Sequence, residues 1–402
     1  MNIIIEKSTA EGTVSAPPSK SMAHRMLICA ALGDGATISN LSPSKDIIAT
    51  AECLKNLGAA IDLDDSVAKI RGIDHNNINN EINLFCDESG STLRFLLPIC
   101  LLLGKRITLC GSTRLFERPL SVYEDICKQQ NIYYKKAESS VTVCGKLTAG
   151  EYSVPGNISS QFISGLLFAL PLLPESSKLI VTENFESASY IDLTLSALSA
   201  FGIKIERKDN VFYIDGNQKY KSCDVTVEGD YSNAAFLDAF NFIGGNVKIS
   251  GLNKNSLQGD RVYIDMFKKL ADKNNCFDLS DCPDLAPVMF AMAAYSGGAV
   301  FTGTARLKIK ESNRAQAMAE ELLKFGIEST IEENSVIIHK GELKKPSAPV
   351  CGHNDHRIVM ALSLLCTVTG GVISGAEAVA KSYPDFFEAI GSLGIKLYEK
   401  VD

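Results

Sequence analysis

Residues 54–72, LKNLGAAIDLDDSVAKIRG, read as the end of a helix, a glycine, an alternating strand, a polar turn and a second strand. Gly58 stands just past the last helical residue, where a left-handed C-cap favours glycine. The alternation on either side of Asp64 and Asp65 predicts a hairpin. The phrase returns more loosely as CKQQNIYYKKAESSVTVCG (127–145), then as LSAFGIKIERKDNVFYIDG (198–216) and LLKFGIESTIEENSVIIHKG (322–341). The chain ends on a truncated copy, IGSLGIKLYEKVD (390–402). Apolar residues at helical spacing predict helices ahead of these hairpins, over 46–57, 121–130, 192–201, 313–325 and 384–393. The copies lie roughly 55–75 residues apart, too long for a solenoid repeat and suited to a β-α-β-α-β-β unit. Helix–Gly–strand is also common in any α/β chain, so the pattern alone gives an α/β (α+β) class and suggests repetition. Neither a G-x-G-x-x-G loop nor a GK[ST] P-loop occurs.

Composition limits the partners. The 402 residues are 46% hydrophobic, 22% charged and 7% aromatic, which suits two or three globular domains and argues against disorder or coiled coil. A formal net charge of −7 provides no global field for nucleic acid or an acidic membrane, so a bound anion needs a local cluster of Lys and Arg. The start, MNIIIEKSTAEG, reads as a short strand without the features of a secretory signal. The longest apolar runs, LRFLLPICLLLG and FISGLLFALPLL, are too short to cross a bilayer and read as buried helices interrupted by proline. The 12 cysteines include no C-x-x-C pair and suit buried reduced thiols. A cytoplasmic chain is the expectation.

Polar clusters sit where helices are expected to begin. In APPSKSMAHRMLICAAL, Ser19 or Ser21 can cap a helix from Met22, with Lys20 and Arg25 around a first turn that favours anions. In DESGSTLRFLLPI, Gly90 between serines allows close approach of a ligand to backbone N–H groups, and Arg94 follows. GSTRLFERPL puts Arg114 and Arg118 about one turn apart, two forks able to grip carboxylate or phosphate. VPGNISSQFISGLLFAL offers Ser159, Ser160 and Gln161, short hydrogen-bonding groups suited to a polyhydroxylated ring. In the second half, Asp284 stands between Pro283 and an apolar helix, where partial desolvation suits proton transfer. LKIKESNRAQAMAEEL gathers Lys308, Lys310, Glu311 and Arg314, while Asp355, His356 and Arg357 open another apolar helix. Lys381 precedes a Pro-started helix. Read singly, each cluster is equally an ordinary helix cap with solvated charges. Together they fit a small, multiply anionic substrate pair rather than a polymer.

Two other chemistries are weaker readings. Cys351, His353 and His356 form C-x-H-x-x-H, which matches no usual zinc pattern, so no metal is expected. A Ser-His-Asp hydrolase lacks its G-x-S-x-G elbow.

The motifs PSKSMAHR, ESGSTLR, TRLFERP, PGNISSQFISGLL, SASYID, VEGDYSNAAF, PDLAP, KIKESNR, NDHRIVMAL and KSYPDFF occur in this order along nearly the whole chain. In this the sequence resembles the 5-enolpyruvylshikimate-3-phosphate synthases, within the enolpyruvyl transferases. The resemblance implies two domains, each of three β-α-β-α-β-β repeats, with the active site in the inter-domain cleft. It implies boundaries near Pro18 and near Glu228–Asp230: 1–18 plus 229–402 as the lobe carrying the termini, and 19–228 as the inserted lobe. The implied reaction transfers the enolpyruvyl group of phosphoenolpyruvate to the 5-hydroxyl of shikimate 3-phosphate and releases phosphate, with no cofactor and the chain expected to be a monomer.

Carried over by motif, Lys20 contacts both substrates and counts among the catalytic residues with Asp284 and Glu311. Lys20, Ser21, Arg25, Ser159, Ser160, Gln161, Ser187, Tyr190, Asp284 and Lys310 are the implied shikimate 3-phosphate set. Lys20, Gly90, Arg114, Gln161, Arg314, Arg357 and Lys381 are the implied phosphoenolpyruvate set. Asp284 lies next to the reacting hydroxyl, and Glu311 matches the family's candidate proton donor to the methylene carbon. The substrates together bring roughly five or six negative charges, which explains the demand for Arg and Lys. Ligands held by both halves imply closure on the first substrate. The chain departs from the commoner pattern at Glu88, Ser89, Phe95, Arg306 and Asn313. The sister family acting on UDP-N-acetylglucosamine places a reactive Cys in the loop that reads GSTRLFERP here, without one. A non-catalytic anion-binding module on the same repeats is opposed by the acids Asp284 and Glu311.

Overall fold

A computed structural model describes residues 1–74, 78–183 and 185–400; Val401 and Asp402, the end of the fifth copy, lie outside the described residues. The hairpins form where the alternation places them. Helix Lys45–Asn56 leads into strands Ala60–Asp64 and Val67–Arg71, which close across Asp65 and Ser66 with Asp64 opposite Val67. Gly58 exits the helix at φ 103°, a region a Cβ disfavours. In the looser second copy Asn131 occupies the equivalent place at φ 54°, because asparagine tolerates the left-handed region better than most residues. Helix–hairpin pairs also run from Ser121–Gln129 into Tyr133–Lys136 and Ser140–Cys144, and from Arg314–Lys324 into Ser329–Ile331 and Ser335–Ile338.

Each hairpin completes a four-stranded sheet. Strand Glu81–Phe85 runs parallel to Arg106–Cys110, which pairs antiparallel with Ser140–Cys144, and Tyr133–Lys136 lies at the edge. Glu151–Pro155, Ser177–Thr182, Val211–Ile214 and Ile205–Lys208 repeat this order, as do Cys276–Asp278, Ala299–Thr302, Ser335–Ile338 and Ser329–Ile331. Two further sheets borrow a strand. Val225–Thr226 adds parallel to Ala36–Ser39, and Asn2–Ile5 inserts between Gly371–Ser374 and Leu397–Glu399. The last copy is truncated because the N-terminal strand supplies its missing member.

The sixth repeat is reduced: among the described residues, Glu11–Ser15 and Asn246–Ser250 form a two-stranded parallel sheet without a hairpin. The regular spacing accordingly fails between the third and fourth copies, where 322 − 198 gives 124 residues. Three helix starts also differ from the sequence reading, the first being the helix expected from Met22, which begins at Lys20. The helix expected from 192 begins at Ala188, after Ser187 in the left-handed region, and the one expected from 384 spans Phe386–Ser392. Its first helical turn closes from Ala389 N to Asp385 O at 2.8 Å, two residues beyond the proline start.

Parallel pairs need a crossover, and in the four sheets whose parallel strands follow one another in the chain a helix provides it. Helices Lys20–Leu32, Gly90–Leu103, Ser160–Ala169, Tyr231–Phe242, Ala286–Ser296 and His356–Thr369 are buried along most of their length. The chain divides into two compact units, Met1–Pro17 with Glu228–Asp402, and Pro18–Val227, and each has its own apolar core. Among the described residues no helix is long and apolar enough to cross a membrane.

Proline does not end helix Gly90–Leu103, although Pro98 lies inside it. Pro98 has no N–H for the Arg94 carbonyl four residues back. Tyr123 Oη donates to that carbonyl instead, at 2.5 Å. Gly165 completes the fit: a Cβ there would lie 2.3 Å from Tyr123 Oη and 2.4 Å from Arg94 O. Tyr123→Phe is expected to leave the Arg94 carbonyl buried and unsatisfied, lowering the stability of the Pro18–Val227 unit by about 1–3 kcal/mol in chemical denaturation.

Candidate functional site

The repeat places a helix N-terminus after the first strand of each sheet, and these starts carry the polar clusters. Ser19 Oγ accepts from Met22 N, Ser89 Oγ from Thr92 N and Ser159 Oγ from Gln161 N. Asp230 caps through Asn233 N and Asp355 through Arg357 N. Capping is therefore real at Ser159, and it does not exhaust the serine clusters, because Ser91 and Gln161 bond elsewhere.

In the Pro18–Val227 unit, Lys20 Nζ meets Asp46 Oδ2 at 2.8 Å, with both side chains largely buried. Arg25 is 2% exposed and threads between two helices. Its Nε donates to Thr194 Oγ1 at 2.9 Å, Nη1 to Ser21 O at 2.6 Å and Nη2 to Tyr190 O at 2.9 Å. Burial lowers its pKa to about 10, which still leaves a cation at neutral pH. Its guanidinium also lies 5.1 Å from the centre of the Phe95 ring, a contact suited to an aromatic residue at this departure from the family pattern. Ser187 is buried at φ 59°, and such a conformation in a residue with a Cβ is disfavoured.

A second group in this unit centres on Gln161. Arg94 Nη1 donates to Gln161 Oε1 at 2.8 Å, and Gln161 Nε2 donates to Ser91 Oγ at 2.9 Å. A Cβ at Gly90 would lie 2.6 Å from Arg118 Nη1, so this guanidinium rests on bare backbone at the helix start. Burial and the neighbouring Arg118 hold Arg94 well below the usual guanidinium range. Arg114 points elsewhere: its side chain is 40% exposed and pairs with Glu117 at 3.0 Å. Of the two arginines in the loop, Arg118 is the one that rests on Gly90, while Arg114 pairs with Glu117. Spacing names both forks, and the motif resemblance assigns Arg114 to phosphoenolpyruvate.

The unit made of Met1–Pro17 and Glu228–Asp402 brings together residues far apart in sequence. Asp284 Oδ1 accepts from Arg314 Nη1 at 2.8 Å and lies 3.4 Å from Lys310 Nζ, while Oδ2 accepts from Arg357 Nη2 at 3.0 Å. Arg314 Nε reaches Asp355 Oδ2 at 2.9 Å, and Asp355 is fully buried. Arg357 Nη1 also donates to Ser232 Oγ. Glu311 Oε2 meets His356 Nδ1 at 2.9 Å, and Lys381 Nζ donates to the Asn354 carbonyl. Asn313 replaces the usual aspartate as a helix cap, its Oδ1 accepting from Gln316 N at 3.4 Å. Arg306 is buried and donates to Ser280 O.

Charge sets the protonation states. Burial pushes Asp284 up, but Arg357, Lys310 and Arg314 outweigh it and hold the carboxyl well below its usual range. Asp355 is lowered too, because Arg314 and its hydrogen bond overcome burial and the nearby Glu311. Asp260 goes the other way, up to about 6, through burial and the adjacent Asp284.

Metal chemistry gains little from this arrangement. His353 faces Glu321 and His356 faces Glu311, so the C-x-H-x-x-H residues diverge. Glu311, Asp355 and His356 do place ligand atoms within 4.8 Å of one another. Asp355, however, already accepts from Arg357 N, Arg314 Nε and Ser312 Oγ, so a guanidinium holds the place a metal ion would take.

Asp355 and Asp284 have depressed folded-state pKa values, so their contribution to stability is present above the unfolded value near 3.8 and is lost as pH falls through the folded values. Asp260 has the opposite sign, its contribution fading as pH rises from about 4 toward 6. Denaturant titrations are expected to show the stability of this unit falling below about pH 4. Asp355→Asn should flatten that fall and cost about 1–3 kcal/mol at neutral pH by removing one of the two carboxylates that balance Arg314.

Residues 5–390 match the family model for EPSP synthase (3-phosphoshikimate 1-carboxyvinyltransferase). A 3-phosphoshikimate 1-carboxyvinyltransferase of Clostridium kluyveri is 44% identical, over 99% of this chain and 98% of that protein. One of Clostridium acetobutylicum is 41% identical, over 99% of each. An EPSP synthase structure from Acinetobacter baumannii superposes with a TM-score of 0.78 at 22% identity over the whole of both chains. The enolpyruvyl transferase NikO of Streptomyces tendae shares the fold with a TM-score of 0.75 at 14% identity, over 99% of this chain and 98% of that one.

Proposed function

The chain belongs to the EPSP synthase (3-phosphoshikimate 1-carboxyvinyltransferase) family and carries out that transfer, and we propose how its own residues do so. The observation that carries the reading is Asp284, a carboxylate held among Arg314, Lys310 and Arg357. Three cations around one acid exceed what a structural ion pair needs. Substrate carboxylate and phosphate groups can recruit the surplus.

In the absence of substrate, Asp284 is a weak base, because its cations stabilise the ionised form. An anionic ligand drawing Arg357 and Lys310 toward itself restores basicity to Asp284. The 5-hydroxyl of shikimate 3-phosphate then gives its proton to Asp284 and attacks C2 of phosphoenolpyruvate, while Glu311, oriented by His356, protonates C3. Loss of a proton from the new methyl group and departure of phosphate re-form the enol. Lys20 exchanges Asp46 for substrate in the same way. Ser21, Arg25, Ser159, Ser160, Gln161, Ser187 and Tyr190 take the shikimate ring and phosphate. Gly90, Arg114, Gln161, Arg314, Arg357 and Lys381 take phosphoenolpyruvate, Arg114 exchanging Glu117 for the substrate as Lys20 exchanges Asp46. The chain acts as a cytoplasmic monomer on these two small molecules, and its net charge of −7 supports the reading that neither nucleic acid nor an acidic membrane is a partner.

Phosphate release is expected with phosphoenolpyruvate and shikimate 3-phosphate and absent when UDP-N-acetylglucosamine replaces the latter. Asp284→Asn and Glu311→Gln should each lower kcat about a hundredfold or more. Full activity in both variants would reject the acid–base roles. Arg114→Ala should raise the KM for phosphoenolpyruvate at least about tenfold.

A further inference from the structure

One buried acid in the unit of Met1–Pro17 and Glu228–Asp402 takes no part in the chemistry above. Glu321, on helix Arg314–Lys324, is 1% exposed and both its oxygens are engaged. Oε1 lies 2.9 Å from His353 Nε2, and Oε2 accepts from Cys351 N at 2.8 Å. Lys324 Nζ supplies the counter-charge at 2.8 Å and reaches on to Pro349 O at 3.3 Å. An ionised carboxylate has no donor of its own, so His353 must donate through Nε2. Burial of such a group is tolerated only with this degree of pairing.

What Glu321 grips is a strained piece of chain. His353 and Asn354 are consecutive residues in the left-handed region, at φ 48° and 51°. Side chains with a Cβ disfavour that conformation, which persists where the surroundings over-determine it. Immediately beyond come the groups that hold the site together. The Asn354 carbonyl receives Lys381, Asp355 receives Arg314, and Arg357 reaches Asp284. Arg314 lies seven residues before Glu321 on the same helix, two turns away on one face. The helix thus holds the segment at both ends, through Glu321 at Cys351 and His353 and through Arg314 at Asp355.

We infer that Glu321 is a positioning residue, which keeps the 351–354 segment in its strained form so that Asn354 and Asp355 set Lys381, Arg314 and Arg357 for the enolpyruvyl donor. What those cations bind rests on the functional reading above. Disturbing the clamp acts first on Lys381, whose partner is the Asn354 carbonyl itself. The donor side of the reaction is therefore the sensitive one.

The test compares Glu321→Gln, which keeps the shape of the side chain, with His353→Ala, at a side chain 25% exposed and safe to truncate. Glu321→Gln is expected to raise the KM for phosphoenolpyruvate about tenfold while that for shikimate 3-phosphate stays within about threefold. Amide hydrogen exchange across 352–357 should accelerate about tenfold, with helix Tyr231–Phe242 unaffected. His353→Ala should shift both readouts the same way by less. Adding Asn354→Gly to Glu321→Gln, which removes the penalty of the left-handed conformation, should recover part of the lost affinity. Unchanged KM and exchange in both variants overturn the inference. So does an equal rise in both KM values with exchange accelerated throughout the unit, the mark of a merely structural role. Should the unaltered protein fail to turn over these substrates, the functional reading falls, while the exchange measurement still decides whether Glu321 holds the segment.

Discussion

Like charge packed into little space is the constraint on which this molecule is built. Arg314 and Arg357 lie almost wholly buried around one carboxylate, with Lys310 at its edge. Unbalanced, such a group would drive its own unit apart, since each buried ion loses several kcal/mol of hydration. Asp284 and Asp355 supply the balance, and helix His356–Thr369 begins on Asp355 because the same carboxylate caps it. Lys20 with Asp46 is a smaller instance in the other unit. Internal counter-ions keep each unit folded, and they are also the groups an incoming anion must displace. Stability and ligand recognition therefore draw on one set of contacts.

The repeat explains why these charges stand at helix starts. Each of these helices is apolar along most of its length, and its polar side chains gather at its N-terminus, where free N–H groups already favour negative charge. A polar cluster in the middle of Ala286–Ser296 or Ser160–Ala169 would have to be buried without partners. The architecture leaves the first turn as the place where chemistry can be put.

This is also why so much was legible in the sequence. Hairpins, helices and polar clusters are local, and alternation, spacing and caps report them directly. Contacts made at long range were not legible. Nothing near residue 225 says that it pairs with residue 38, and nothing in NIII says that it fills the gap in the C-terminal copy. Arg114 and Arg118 share one short loop, and only the packed chain shows which guanidinium rests on Gly90. Glu321 gave no signal at all. An acid on an amphipathic helix reads as a solvated face, and its burial depends on a loop thirty-odd residues further along.

The placement of Asn2–Ile5 has a consequence for how the polypeptide is made. That strand leaves the ribosome more than 360 residues ahead of both its neighbours, Gly371–Ser374 and Leu397–Glu399. The Pro18–Val227 unit is contiguous and can reach its final form while synthesis continues. The other unit must wait with a short apolar segment unprotected until those neighbours have been made. Nascent chains stalled after the whole Pro18–Val227 unit has emerged but before residue 371 is made therefore carry one finished unit and one exposed, pairing-competent strand.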